Sequence, residues 1–201
     1  MAIREYTMLS LGDSYTIGER VDEADRFPNQ AVMLLHNMGI YFEKPKIIAK
    51  TGWTTDELMA AIENENLKGT YDFVTLLIGV NNQYRGRDLE NYRKEFIELL
   101  ELAIKFSGGK ATHVIVLSIP DWGATPFAEG SDRKKIATEI DQFNAVNMKE
   151  SDKRHVHYIG ITGFTREHPD WIAEDGLHPD GRQYALWSQE IVVAIEGEIK
   201  K

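Results

Sequence analysis

Apolar residues fall along the chain in short, nearly continuous runs separated by segments in which they recur every three or four positions. The runs lie within 6–11, 46–50, 72–78, 112–118 and 156–159. Their length predicts strands, and the nearly continuous apolarity of Val74, Leu76, Leu77 and Ile78 in the third predicts burial on both faces, as in a parallel sheet. Between them, helical spacing is carried by Val32 and Leu35, by Leu58 and Ile62, by Tyr92, Phe96, Leu99 and Ala103, by Ile136, Ile140 and Phe143, and by Tyr184, Trp187, Ile191 and Ile195. Stop and start signals agree with this parsing. Phe27-Pro28 opens a helix, since proline fits a first turn, and Gly39 closes it. Thr54 with Glu57 forms a capping box. Asp88, Ser131 and Asp180 are candidate caps for the later helices, and 160–179 is expected to be a long loop. Five strands alternating with helices predict a doubly wound, three-layer α/β/α sandwich. No linker, repeat or low-complexity stretch divides it, so 1–201 is expected to be one domain.

In such a sheet, sites form beyond the carboxyl ends of the strands. The first run ends at Gly12-Asp13-Ser14, the second at Thr51-Gly52-Trp53 and the third at Gly79-Val80-Asn81. A serine presented at a strand end is a candidate nucleophile, but it needs a base and a site for the developing oxyanion. Asp175-Gly176-Leu177-His178 supplies the base between the last strand and the last helix. A histidine titrating near neutrality can take the serine proton, and a carboxylate three residues earlier can orient the ring. Taken singly, each of these residues has a plainer reading as a turn, a cap or a surface group. Their joint placement at strand ends is what argues for chemistry.

Composition narrows the partners. The 201 residues carry 32 acidic and 23 basic side chains, a formal charge of −9, which does not attract a phosphate backbone and speaks against nucleic acid. There is no cysteine, hence no disulfide framework, thiolate nucleophile or thiolate metal site. Residues 1–6 lack a basic segment followed by a long apolar one, and no run approaches the ~20 residues of a membrane span. A cytoplasmic enzyme without a cofactor, acting on a small molecule, is the expectation; a removed leader would escape this reasoning.

Gly12-Asp13-Ser14, Gly52 within Thr51-Gly52-Trp53-Thr54, Gly79-Val80-Asn81 and Asp175-Gly176-Leu177-His178 stand in the order of the four sequence blocks of the GDSL/SGNH hydrolases. The chain resembles that family over nearly its whole length. The resemblance implies a flavodoxin-like five-stranded parallel sheet and a serine esterase or lipase-type acylhydrolase. It implies Ser14, Asp175 and His178 as the catalytic residues, and Ser14, Gly52 and Asn81 as the oxyanion hole. Asp13 and Asn82 are expected to support the site from behind. Two positions depart from the family pattern: Asn82 stands where aspartate is frequent, and Tyr15 where leucine is. The absence of G-x-S-x-G argues against an α/β-hydrolase elbow. The expected reaction is cleavage of a small acyl or acetyl ester through an acyl-enzyme. Acyl transfer by the same site, or a non-catalytic ligand-binding flavodoxin-like domain, are the alternatives. His155 and His157 have a spacing that can bind metal, but no further ligand accompanies them, and no metal is expected. Trp53, Trp122 and Trp171 fall in loops, where they can line a cleft or pack beneath it.

Overall fold

The computed structural model describes residues 4–201; Met1, Ala2 and Ile3, part of the stretch considered above for a leader, lie outside the described residues. Among the described residues seven strands form: β1 (Glu5–Tyr6), β2 (Met8–Gly12), β3 (Tyr41–Phe42), β4 (Lys46–Ala49), β5 (Phe73–Leu77), β6 (Val114–Leu117) and β7 (His157–Ile159). The main sheet has the order β4-β2-β5-β6-β7, with every neighbouring pair parallel. Counted within that sheet the order is 2-1-3-4-5, the flavodoxin-like arrangement. All residues of β2, β5 and β6 are buried. This burial on both faces is the physical reason for their unbroken apolar runs.

The helices are α1 (Ser14–Ile17), α2 (Phe27–Asn37), α3 (Thr55–Glu65), α4 (Val80–Tyr84), α5 (Leu89–Phe106), α6 (Arg133–Lys153), α7 (Thr162–Glu167) and α8 (Gly181–Ile199). The helix α2 packs against α8, and α5 lies against both α3 and α6, so the sheet is covered as a three-layer α/β fold. The apolar stripes read from the sequence are the buried faces: Tyr92, Phe96, Leu99 and Ala103 on α5, and Tyr184, Trp187, Ile191 and Ile195 on α8, are all buried. Each fully buried side chain of this kind contributes roughly 1.5–3 kcal/mol relative to exposure. No helix among the described residues is long and apolar enough to cross a membrane.

Four local features differ from the sequence expectation. The first run is split, because the Thr7 N–H and hydroxyl both donate to Asp72 Oδ2, at 2.9 and 3.1 Å. This draws β1 out of the main sheet to pair with β3. Ser131 is not a cap; Asp132 is, its carboxylate accepting the Lys135 N–H at 3.0 Å. The stretch after β5 is not a simple turn but the short helix α4, which carries Asn81. The loop 160–179 contains α7, whose start is held by the Ser118 hydroxyl accepting the N–H groups of Ile161 and Thr162 at 2.8 and 3.0 Å. Asp88 and Asp180 cap α5 and α8 as read from the sequence.

Candidate active site

Strand order reverses between β2, which is flanked on one side by the edge strand β4, and β5, from which the sheet continues to β6 and β7. Ser14 follows β2 and Asn81 follows β5, so the pair flanks the crevice at that switch point. Gly12 sets the spacing between them. A Cβ there would lie 2.4 Å from the Leu77 carbonyl oxygen and 2.2 Å from Thr16 Oγ1. Its value is close approach of α1 to the end of β5 rather than an unusual turn. Asp13 caps α1, its Oδ1 accepting the Tyr15 N–H at 3.0 Å. Ser14 is therefore the first helical residue. Its N–H, like others at a helix start, has no acceptor within the helix, and it donates to none elsewhere among the described residues.

The turn after β4 brings Gly52 to the same rim with φ +84°, a left-handed conformation that favours glycine. Its N–H likewise has no acceptor among the described residues. Asn81 donates one amide hydrogen to the Trp53 carbonyl at 2.9 Å, which fixes the side chain and leaves the second hydrogen free.

The return loop between α7 and α8 is closed by an antiparallel bridge between Ile172 and Pro179 and by the Ala173 N–H donating to the His178 carbonyl at 2.7 Å. Within it, Asp175 Oδ1 accepts the N–H groups of Leu177 and His178, each at 3.0 Å, and Oδ2 sits 2.7 Å from His178 Nδ1. Facing a carboxylate, Nδ1 is the protonated nitrogen, and Nε2 is left with the lone pair. Burial pushes the Asp175 pKa up, but the His178 ring and the two backbone donors outweigh it and hold the carboxyl below its usual range. Asp13 shows the opposite balance. Burial dominates over its hydrogen bond from Tyr15 and pushes it up to about 7.

Ser14, Asn81 and His178 border one cavity of about 140 Å³. Its other walls are apolar. Tyr84, Trp122 and Phe127 form a cluster of rings with centroids 5.3–6.5 Å apart. Tyr15 packs its ring on the His178 imidazole at 5.1 Å between centroids. The loop bearing Phe127 is tied to the histidine turn, its N–H donating to the Gly176 carbonyl at 3.0 Å. Gly52 does not line the cavity itself; it stands at the adjoining strand end. Among the described residues the His178 ring has its one side-chain hydrogen bond to Asp175, so Ser14 and His178 share the cavity without a bond between them.

Asn82 is fully buried and pins α4 to α3. Its Oδ1 accepts the Thr55 N–H at 3.1 Å and its Nδ2 donates to Thr55 Oγ1 at 2.7 Å, while the Thr55 hydroxyl donates to Glu95. The chain of donors explains asparagine at this position. With its proton committed to Glu95, the hydroxyl needs a donor from residue 82, which an aspartate does not offer. Of the loop tryptophans, Trp122 lines the cavity. Trp53 touches the site through its carbonyl, and Trp171 lies away from it, stacked on His168. His157 hydrogen-bonds to Glu198, His36 to the Phe42 backbone and His113 to the Asp72 carbonyl. Sequence reasoning missed Tyr84, Phe127, Val80 and Leu177 as cavity walls. Tyr84 lies three positions after Asn81, a spacing that becomes informative only once α4 is known to be helical.

The sequence profile of the GDSL-like Lipase/Acylhydrolase family matches residues 10–186. Among solved structures, the chain is similar to TesA, at 16% identity and a TM-score of 0.73, with 95% of this chain and 98% of that one covered. It is also similar to Axe2, an acetylxylan esterase from Geobacillus stearothermophilus, at 18% identity and a TM-score of 0.74, with 97% and 96% covered. A lipase/acylhydrolase from Enterococcus faecalis gives 20% identity, a TM-score of 0.71 and 96% coverage of both chains. Among curated sequences no relative matches.

Proposed function

The chain belongs to the GDSL-like lipase/acylhydrolase family, and on that premise we propose that it is a carboxylic ester hydrolase in which Ser14 is the nucleophile, His178 the general base and Asp175 its orienting acid. The observation that carries this reading is that Ser14, Asn81 and the Asp175-bound His178 line one cavity. Ser14 Oγ attacks the ester carbonyl while His178 Nε2 takes its proton. The charge developing on the carbonyl oxygen is met by the N–H groups of Ser14 and Gly52 and the free amide hydrogen of Asn81. As the tetrahedral intermediate collapses, the imidazolium returns its proton to the departing alcohol. A water molecule, deprotonated by His178, then releases the acid from the acyl-enzyme. Asp13 and Asn82 support this arrangement, the first by capping the helix that presents Ser14, the second by fixing α4.

The cavity argues for a small acyl group. Its volume of about 140 Å³ is close to that of an engineered protein cavity that accepts benzene, ~150 Å³. Its walls carry no carboxylate, ammonium or guanidinium group, so a neutral, apolar acyl group of roughly that size fits. An acetyl group fits with room to spare. A panel of p-nitrophenyl esters tests both parts. Ser14→Ala should lose at least ~10⁴ of the rate, because the covalent route is removed, while its thermal midpoint stays near that of the parent. kcat/KM should fall for acyl chains longer than the cavity. A Ser14→Ala protein that turns over esters at the parent rate contradicts the proposal. The same site supports transfer if an alcohol replaces water at the second step, and product analysis with added alcohol separates the two.

A further inference from the structure

We propose that Arg85 is a positioning residue that holds the Gly52 turn in the conformation the oxyanion site needs; the inference rests on the reading of Gly52 given above. Arg85 closes α4 four positions after Asn81, with its N–H donating to the Asn81 carbonyl at 3.0 Å. Its Nη2 donates to the Gly52 carbonyl at 2.6 Å. The next carbonyl along the chain, that of Trp53, is held by Asn81 Nδ2 at 2.9 Å. Two residues one helical turn apart thus hold two successive carbonyls of one turn. The guanidinium is itself steered by Glu57, whose Oε1 lies 3.3 Å from Nη1. The other oxygen of Glu57 accepts the Thr54 N–H at 2.9 Å, so Arg85, Glu57 and Thr54 close a ring around the turn.

The need for such a clamp follows from Gly52 itself. Glycine has the widest conformational freedom of any residue, and here it sits at φ +84° with no side chain to anchor it. An oxyanion donor is effective because it is already aimed when charge develops; one that must be reoriented during the reaction gives up much of its effect. Holding the Gly52 carbonyl fixes the Gly52–Trp53 peptide plane, whose own N–H donates to the Lys50 carbonyl at 3.2 Å; that bond closes the turn over the Thr51–Gly52 unit, so rotation about Gly52 and with it the aim of its N–H are restricted. Arginine suits the task because its planar fork reaches the carbonyl and Glu57 together, while lysine offers a single point donor.

The test compares the parent with Arg85→Ala, Arg85→Lys and Arg85→Gln in ester hydrolysis and in the rate of phosphonylation by a fluorophosphonate. Rates are normalised to the fraction of chains that can be labelled, so that partial misfolding does not enter. Arg85→Ala is expected to lower kcat and the phosphonylation rate about tenfold each, with KM within twofold, as removal of an interaction made only in the transition state requires. Arg85→Lys should recover part of that loss and Arg85→Gln less. A purely structural role would lower the thermal midpoint and leave kcat per labelled site intact, and that result overturns the proposal. So does a raised KM at unchanged kcat, which would place Arg85 against the substrate instead. Ser14→Ala is run alongside. If it is inactive while Arg85→Ala matches the parent, only the role of Arg85 fails; if it is active, the assignment of the site fails.

Discussion

Asp13 is the residue at which burial and charge conflict most directly. It is fully enclosed beside Ser14, and burial pushes its pKa up to about 7. Between roughly pH 4 and 7 the folded protein holds a proton there that the unfolded chain gives up, so raising the pH across this window subtracts stability. Asp13→Asn removes that titration and keeps an oxygen for the Tyr15 N–H. The midpoint of the variant minus that of the parent, followed by calorimetry, should therefore rise from pH 5 to pH 8; a difference that stays flat would show that Asp13 is ionised throughout. Asp175 has the opposite sign. Its carboxyl is held low, mainly by the His178 ring against the cost of burial, so its stabilisation is present above the ordinary carboxylate range and is lost on acidification through it. At this scale the sequence was informative about identity and silent about contact. That Ser14, Asn81 and His178 come to one cavity was legible because each follows a strand or sits in a return loop. The Tyr15 ring on the imidazole was not, since nothing local couples position 15 to position 178.

At the scale of elements, the site depends on two short helices, α1 and α4, that start directly at strand ends. Gly12 shows how tightly α1 is set. Gly12→Ala would place a methyl 2.4 Å from the backbone oxygen of Leu77, which cannot move without disturbing β5. Overpacking of this kind costs roughly 1–3 kcal/mol, and the variant should fall near the upper end, with activity reduced because Ser14 is displaced along with the strand end. Denaturant titration beside kcat/KM checks both; a variant as stable as the parent would mean that the end of β5 and α1 both yield to the added methyl. Five main strands, five long helices and the Asp88 and Asp180 caps could be read from periodicity. The helices α1, α4 and α7 could not, because four to six residues carry no measurable period. Ser131 and Asp132 are adjacent cap-forming residues, and only the hydrogen bond to Lys135 decides between them.

Over the whole molecule, a chain order of 2-1-3-4-5 places the reversal point between β2 and β5, and the cavity opens there. The half-exposed rings of Tyr84 and Phe127 at its mouth are contributed by α4 and by the loop after β6, elements far apart in sequence. Pattern alone gave the layers and the edge on which the site lies; it could not give the cavity size, which is set by side chains converging from four separate connections. Whether the convergence on that edge creates a reactive serine is tested most directly by fluorophosphonate labelling followed by intact-mass and peptide analysis. One adduct per chain is expected, on the peptide containing Ser14, forming at least ~10²-fold more slowly in folded His178→Ala. An adduct confined to another residue, or equal labelling rates in the parent and His178→Ala, would contradict the assignment.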